Sequence, residues 1–298
     1  MNALQSPTAA PMTDTRLLDL DRPAFDAHFG KEPFAIRHRL ADHPLFAVPR
    51  LLELAKSLPE DRVEYNAGDL PVSVDPARTP RNGLTPEETI RRIAECRSWL
   101  VLKNVERDPA YADLLDRCLA EVVQMGHADA RRIDLREAFI FVSSPASVTP
   151  FHIDPEWNFL LQVRGQKTIH VFPSDDRSLV GEEDLERFYC GAHRNLVFRE
   201  EFQQKAETFV LRPGDGVHVP VTAPHWVENG PEVSISFSIT FQTRASERRG
   251  IIYRTNRWLR ARGLKPRPAG VSGWRDASKY FAFRVIRRLR RMLGTLTR

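Results

Sequence analysis

Six short runs of apolar and β-branched residues follow one another between Glu137 and Thr243. They read AFIFVSS, NFLLQV, KTIHVFP, TFVL, GVHVPV and VSISFSITF, and turn residues separate them, as at Arg164–Gln166 and Arg212–Asp215. Short strands at regular spacing, divided by Gly and Pro turns, are typical of a β-sandwich or barrel. The pattern predicts a barrel over 137–243 in a mainly β protein with flanking helices, an α+β arrangement.

The segments on either side of this core carry helical as well as strand patterns. Residues 17–136 are predicted to form an α/β segment that packs on the barrel, with strands at Phe34–Arg39 and Trp99–Val105 and helices at Pro49–Ser57, from Thr85, and at Pro109–Met125. Residues 244–298 are predicted to form a basic helical tail, and 1–16, rich in Pro, Ser, Thr and Ala, a disordered N-terminus. The chain is therefore expected to hold one β core between two dissimilar flanks.

Composition narrows the class of protein. The 298 residues are 42% hydrophobic and 28% charged, which is enough for a large core, and there is no apolar run of about 18 residues that would cross a membrane. The first residues lack the basic start and apolar stretch of a secretory signal. The three cysteines, Cys96, Cys118 and Cys190, cannot all pair and have no metal-site spacing. These features predict a cytoplasmic protein with reduced thiols.

The net charge of +5 conceals a strong asymmetry. From Arg244 to Arg298 there are 17 basic residues and two acidic ones, a net charge of +15, so the rest of the chain carries −10. A basic tail indicates an anionic partner, either nucleic acid or a membrane surface. Docking of the tail on the acidic body or on a second subunit explains the asymmetry equally well.

Three residues offer a candidate metal site. His152 and Asp154 are two positions apart, so in a strand they face the same side, and His225 can join them if a later strand folds back across the barrel. Two imidazoles and one carboxylate on one face of a metal are the ligand set of non-haem iron(II) oxygenases. The alternative is that His152 is a hydrogen-bonded core residue. His218 is a competing ligand, although a cavity or core position suits it better.

Two longer stretches give this triad a context. The runs TPFHIDPEWNFLLQVRGQKTIHVFP and LRPGDGVHVPVTAPHWVENG resemble the JmjC-type, cupin-fold 2-oxoglutarate hydroxylases, especially the branch with the asparaginyl hydroxylase of hypoxia-inducible factor. The resemblance covers about Glu137–Phe241. It implies a double-stranded β-helix, or jelly-roll, core, and it places His152, Asp154 and His225 on the family's Fe(II) ligands.

The same resemblance implies a binding site for the cosubstrate 2-oxoglutarate. Lys167 matches the lysine that pairs with the distal carboxylate, Thr149 a threonine that binds the same group, and Asn158 an asparagine near the cosubstrate. A buried ammonium needs an anionic partner, which supports this role for Lys167. The alternative is that Lys167 reaches solvent while its strand neighbours point inward.

The sequence departs from the family at one further contact. Related hydroxylases use a tyrosine as an additional partner of the distal carboxylate, and the strands before His152 offer only Phe139, Phe141 and Trp99. In the last strand, Ser238 and Thr240 belong to a row of hydroxyl residues that alternates with apolar ones. These two residues are candidate cosubstrate contacts, and a solvated outer face explains the row equally well.

Together these features predict an Fe(II)- and 2-oxoglutarate-dependent enzyme that uses O2 to hydroxylate a C–H bond, with succinate and carbon dioxide as coproducts. The expected substrate is a protein side chain, with a lipid or small metabolite as the competitor. The alternatives are a non-enzymatic cupin-fold regulator or binding protein, whose tail binds nucleic acid or membrane, and a cupin isomerase that uses the metal alone.

The tail suggests where such an enzyme acts. Ser278–Gly294 places apolar residues at helical spacing with arginines on the remaining surface, and basic amphipathic helices bind anionic membrane surfaces. This predicts peripheral attachment at the inner face of the membrane. A homodimer through the same helices is the alternative, and nucleic acid is less favoured because no helix-turn-helix or zinc finger is present.

Overall fold

The computed structural model describes residues 16–75, 79–80, 82–127 and 133–295. Apart from Arg16, the N-terminal segment predicted to be disordered lies outside the described residues. The strands are β1 (Leu18–Asp19), β2 (Phe34–His38), β3 (Val63–Ala67), β4 (Ser98–Lys103), β5 (Ile133–Ser143), β6 (Val148–His152), β7 (Trp157–Arg164), β8 (Lys167–Val171), β9 (Glu207–Leu211), β10 (Asp215–Val219), β11 (His225–Asn229) and β12 (Ser234–Thr243). The helices are α1 (Arg22–His28), α2 (Val48–Ser57), α3 (Pro86–Arg91), α4 (Pro109–Gln124), α5 (Glu182–Tyr189), α6 (Arg244–Arg260) and α7 (Gly273–Thr295).

The strands form two antiparallel sheets. The larger sheet has the order β1-β2-β10-β7-β12-β5-β4-β3, and the smaller one has the order β6-β11-β8-β9. The N-terminal strands are part of the larger sheet, because β2 pairs with β10 and β4 pairs with β5. The mainly β architecture with flanking helices is confirmed. The division at 136 and 243 stays a prediction, and the N-terminal segment extends the sheet as well as packing on it.

The two faces of the larger sheet contribute to separate apolar clusters. Between the sheets, Leu160 and Val217 from the larger sheet pack with Ile169 and Val227 from the smaller one. On the opposite face of the larger sheet, a second cluster packs against the N-terminal helices; it includes Phe29, Leu115, Phe159, Phe237 and Phe241. Alternate residues of one strand therefore belong to different layers, and this alternation decides which side chains face the space between the sheets.

Local sequence signals account for the main helix boundaries. Thr85 caps α3 through a reciprocal capping box with Glu88, as its sequence predicts. Helix α4 begins after Asp108, whose carboxylate accepts a hydrogen bond from the backbone of Ala110. The two tail helices pack against each other after β12. None of the described helices combines the length and the apolar character needed to span a membrane.

Candidate metal centre

Two histidines and an aspartate meet where β6 and β11 lie side by side. His152 ends β6, His225 begins β11, and the two residues are partners across the antiparallel ladder. Asp154 follows His152 by two positions. Possible ligand atoms of the three side chains all lie within 4.8 Å of one another. The predicted triad is therefore assembled by the pairing of two strands.

Both imidazoles have the same orientation toward the aspartate. Nδ1 of His152 lies 2.7 Å from the carbonyl oxygen of Pro150, and Nδ1 of His225 lies 2.9 Å from that of Ala223. A carbonyl only accepts, so each Nδ1 donates and each Nε2 keeps its lone pair. Each Nε2 is 3.6 Å from Oδ2 of Asp154. Two imidazole nitrogens and one carboxylate oxygen thus converge, a donor set that suits iron(II).

The protonation states also suit metal binding. Burial, together with the neighbouring His152, lowers the pKa of His225 to about 3, so its ring is neutral at physiological pH. Burial alone raises the pKa of Asp154, but its interactions with His152 and Arg194 outweigh burial and hold that pKa below its usual range. A neutral imidazole and an ionised carboxylate are the forms that bind a cation.

Arg194 contacts this site and was not singled out from the sequence. The backbone of Arg194 and Leu196 runs beside β6, with hydrogen bonds from Ile153 N to Arg194 O (3.2 Å) and from Leu196 N to Phe151 O (2.9 Å). The Arg194 side chain donates from Nη1 to Oδ1 of Asp154 at 3.1 Å. That oxygen is not the one directed at the histidines. Arg194 therefore holds the carboxylate with its other oxygen toward Nε2 of both rings.

A cavity of about 700 Å³ opens beside the triad. Its wall combines β3, β4, β5, β6 and the insertion between β8 and β9, and it includes Asn66, Trp99, Lys103, Phe141, Thr149, His152, His193 and Arg194. Lys103 and Glu64 form an ion pair in this wall. The charged insertion between β8 and β9 thus supplies one side of the cavity.

Lys167 is buried between the two sheets. Lys167 is only 4% exposed. Along β8 it lies on the same side as Ile169 and Val171, which belong to the core between the sheets. The alternative in which Lys167 reaches solvent is wrong. No hydrogen bond or ion pair within the described part of the chain reaches its ammonium, and burial lowers its pKa to about 7. Its Nζ lies 5.8 Å from the centre of the Phe141 ring, which lines the cavity.

Trp99 presents a second polar group without a partner. The side chain is 9% exposed and lines the cavity, and among the described residues its indole N–H has no hydrogen-bond acceptor. Thr149, half-buried on β6, lines the same cavity. A buried N–H without an acceptor is costly, and a group that enters the cavity can accept from this one. The sequence offered Trp99 only as a substitute for a missing tyrosine.

The hydroxyl row of β12 faces the interior. Ser238 lies opposite Leu160, is 1% exposed, and donates to Oδ1 of Asn158 at 2.8 Å. Thr240 is 4% exposed and donates to the carbonyl of Glu137 at 3.1 Å. The interpretation of this row as a solvated outer face is wrong, because Ser234, Ser236, Ser238 and Thr240 are all buried. A direct role of Ser238 and Thr240 in cosubstrate binding stays a prediction.

His218 belongs to the outer core. It is fully buried on β10, its ring stacks 4.8 Å from that of Phe29, and Nδ1 is 3.1 Å from the carbonyl of Asn158. Burial lowers its pKa to about 3. Trp157 stacks on Phe29 in the same core, whereas Trp226 stacks on His170 at the smaller sheet. His218 is thus a core residue, as its sequence context favours.

Solved structures that superpose on this chain include those of a ribosomal oxygenase. The X-ray structure of Escherichia coli YcfD superposes with a TM-score of 0.51 and 19% sequence identity, over 90% of this chain and 67% of that one. The structure of YcfD in complex with cobalt and 2-oxoglutarate superposes with a TM-score of 0.53, also at 19% identity.

The chain has the JmjC/cupin jelly-roll fold. The resemblance inferred from its motifs is confirmed at this level.

Curated relatives match a shorter part of the chain. Lysine-specific demethylase 8 of Danio rerio is 33% identical over 101 residues, 32% of this chain and 24% of that protein. Lysine-specific demethylase 8 of Xenopus tropicalis is 28% identical over 138 residues, 42% of this chain and 28% of that protein. The match thus covers about a quarter of each relative's length. No family model matches the chain.

Proposed function

We propose that this JmjC/cupin protein is an Fe(II)- and 2-oxoglutarate-dependent oxygenase that hydroxylates a C–H bond. One observation carries the proposal: three ligand atoms within 4.8 Å of one another lie in the same barrel as a buried ammonium without an anionic partner among the described residues. A stable fold gains nothing from an unpaired buried lysine. A bound dicarboxylate supplies the missing charge.

In this proposal His152, Asp154 and His225 hold the iron, and Arg194 orients the aspartate. When bound, the metal and cosubstrate supply the oxidising chemistry. The protein's own residues position the ligands: the carbonyls of Pro150 and Ala223 keep both Nε2 lone pairs available. The wall of the cavity restricts water around the site.

The same proposal assigns the cosubstrate to the space between Lys167 and the cavity. Lys167 pairs with the distal carboxylate, and the Thr149 hydroxyl donates a hydrogen bond to the same group. The indole N–H of Trp99 takes the place of the family's tyrosine. Asn158 is held in position by Ser238, whose hydroxyl bonds its side-chain oxygen, and Thr240 supports the adjoining strand. Charge-assisted contacts of this kind are about twice as strong as neutral ones.

For the substrate we favour a protein side chain. Similar chains include a ribosomal oxygenase and a lysine demethylase, both named for action on proteins or protein assemblies. The cavity wall offers polar groups on Glu64, Lys103 and His193, which suit a polar side chain better than a hydrocarbon. A lipid or small metabolite is the competing substrate, and the tail described below favours it.

Anaerobic titration tests the central proposal. Fe(II) is added with and without 2-oxoglutarate while the metal-to-ligand absorption band of the chelate is followed, and succinate is then measured after air is admitted. We expect the band only when both are present, and succinate formation after oxygen. Iron binding without this band contradicts an oxygenase and favours a metal-only isomerase. If the protein does not bind iron, a non-enzymatic regulator is favoured.

We also propose that the tail contacts an anionic membrane surface. On α7 the large apolar residues Phe281, Val285 and Leu289 are 70%, 40% and 53% exposed, and Arg284, Arg287 and Arg288 are exposed among them. Each basic residue near an anionic leaflet contributes about 1 kcal/mol. Cosedimentation with phosphatidylglycerol vesicles is expected, with loss in high salt and in the triple Arg284→Gln, Arg287→Gln, Arg288→Gln variant. Binding equal to that of the parent contradicts this.

A further inference from the structure

Helices α6 and α7 enclose an apolar groove, and Cys190, just after α5, also contributes to its lining. Its volume is about 580 Å³, within the usual range of small-molecule sites. The apolar wall is formed by Trp258 and Leu259 from α6 and by Ala282, Phe283 and Ile286 from α7. Most of this wall is carbon, so the groove suits a hydrocarbon chain rather than a polar ligand.

Basic side chains surround the mouth of this groove. Arg254, Arg257, Arg262 and Lys279 all contribute to its lining. Among the residues the structure describes, none of the three arginines forms an ion pair with a carboxylate. Arg254 donates to the carbonyl of Tyr189 at 2.8 Å, and Arg262 lies 3.7 Å from the centre of the Trp258 ring.

A neighbouring arginine on the same helix behaves differently. Arg260 forms two 3.0 Å hydrogen bonds to the buried carboxylate of Glu186. Helix α6 thus pairs an arginine with an acid where one is available, and leaves the groove arginines without one. Lys279 is the exception at the mouth, since its Nζ lies 3.4 Å from Asp276.

We propose that the α6–α7 groove binds one acyl chain of an anionic membrane lipid, with the headgroup held by Arg254, Arg257 and Arg262. Guanidinium groups pair with phosphate through two parallel hydrogen bonds, and the apolar wall removes the chain from water. Trp258, 45% exposed at the groove, has the amphipathic side chain that is enriched at membrane interfaces. The inference deepens the membrane contact proposed above and is independent of the oxygenase chemistry.

Charge decides between a lipid and a second copy of the chain. Residues 244–298 carry a net charge of +15, so two tails packed through this face bring like charges together. An anionic headgroup instead neutralises the arginines at the mouth. The groove is therefore assigned to a lipid rather than to a dimer contact.

The test uses full-length protein and alkyl phosphates of increasing chain length, each below its micelle-forming concentration, with calorimetry as the readout. We expect affinity to rise about fourfold per methylene and to level off once the groove is filled. Alkyl glucosides of equal length, which lack the charge, should bind at least about tenfold more weakly. An affinity independent of chain length overturns the proposal.

Two variants distinguish the contribution of the alkyl chain to binding from that of the phosphate headgroup. Ala282→Trp fills the groove without changing charge, and we expect it to abolish the dependence on chain length. Arg257→Gln should weaken alkyl phosphate binding about fivefold to tenfold and leave the glucosides unchanged. Arg244→Gln, at the exposed start of α6 and 3.9 Å from Asp134, is the matched control and should behave as the parent. Thermal melting confirms that each variant is folded.

Other outcomes identify which idea fails. If the Ala282→Trp variant binds alkyl phosphates as the parent does, the alkyl chain binds outside the groove and the groove proposal is overturned. If the variant instead loses self-association in sedimentation velocity, the groove is a dimer interface and the proposal is overturned. Vesicle binding without alkyl phosphate binding rejects the groove but retains the membrane contact. The iron titration is unaffected in every case.

Discussion

The barrel and the tail use charged residues in opposite ways. In the barrel, Asp154 lies among His152, His225 and Arg194, whereas Lys167 is buried without a charged partner among the described residues. In the tail, Arg275 and Arg284 lie over the rings of Trp274 and Tyr280, and the apolar residues beside them are exposed. Coulomb interactions are strong in the interior and screened by salt at the surface. Single substitutions should therefore disable the barrel, whereas the tail should respond gradually and to salt.

The largest effect is expected at the metal ligand. Asp154→Ala leaves two imidazoles for the metal, so Co(II) or Fe(II) affinity should fall by on the order of 100-fold or more and succinate formation should be lost. Calorimetry with Co(II) measures the first and a coupled assay the second. Asp175→Ala, on the exposed part of the insertion, is the control. Normal succinate formation by a folded Asp154→Ala protein would rule out the proposed centre.

The next largest effect is expected at Lys167, where one substitution should weaken 2-oxoglutarate binding and stabilise the cofactor-free protein. Lys167→Met removes the partner of the distal carboxylate. The free energy of 2-oxoglutarate binding should weaken by about 2–5 kcal/mol, so the dissociation constant should rise roughly 30-fold or more. The same change removes an unpaired buried charge, so the cofactor-free variant should be more stable by about 1–3 kcal/mol. Calorimetry and urea unfolding measure the two quantities.

The stability gain of Lys167→Met should depend on pH. Burial lowers the pKa of Lys167 from 10.5 to about 7 in the folded protein. Between these values the unfolded chain binds a proton that the folded chain does not, so this lysine makes stability rise with pH. The advantage of the variant should be full below pH 7 and shrink toward pH 10. A constant difference means that the ammonium has a partner or reaches solvent.

A smaller effect is expected at Arg194, which acts through another residue. Arg194→Ala should weaken Co(II) binding about 10-fold to 100-fold while the triad remains, and Arg194→Lys should restore part of the loss. Arg199→Ala serves as control, since Arg199 is exposed on the same insertion and lies 3.7 Å from Glu201. If Co(II) affinity is unchanged but 2-oxoglutarate binding is lost, Arg194 binds the cosubstrate instead of orienting Asp154.

The smallest effect compares two tryptophans. Both Trp99 and Trp157 have a buried indole N–H without an acceptor among the described residues, but only Trp99 lines the cavity. Trp99→Phe removes one hydrogen bond, so it should weaken 2-oxoglutarate binding by about threefold to tenfold. Co(II) affinity should be unchanged. Trp157→Phe should leave both constants unchanged. Equal behaviour of the two variants means that the Trp99 N–H does not face the cosubstrate.

The sequence by itself determined the strand pattern and which residues share one side of a strand. His152 and Asp154 are close in the chain, and the period-two alternation of KTIHVF places Lys167 on the same side as Ile169 and Val171. The capping box at Thr85 and the start of α4 likewise depend only on neighbouring residues. Such features need no knowledge of what packs across from them.

Only the tertiary structure decided which face of a strand meets which partner. Ser238 is buried because its face of β12, which it shares with Leu160, meets the smaller sheet, and His218 is buried because Phe29 covers the opposite face of the larger sheet. Arg194 reaches Asp154, forty positions away, because the insertion runs beside β6. Alternation divides a strand into two faces, but the choice between core, cavity and solvent depends on strand order and on loops that return from distant sequence.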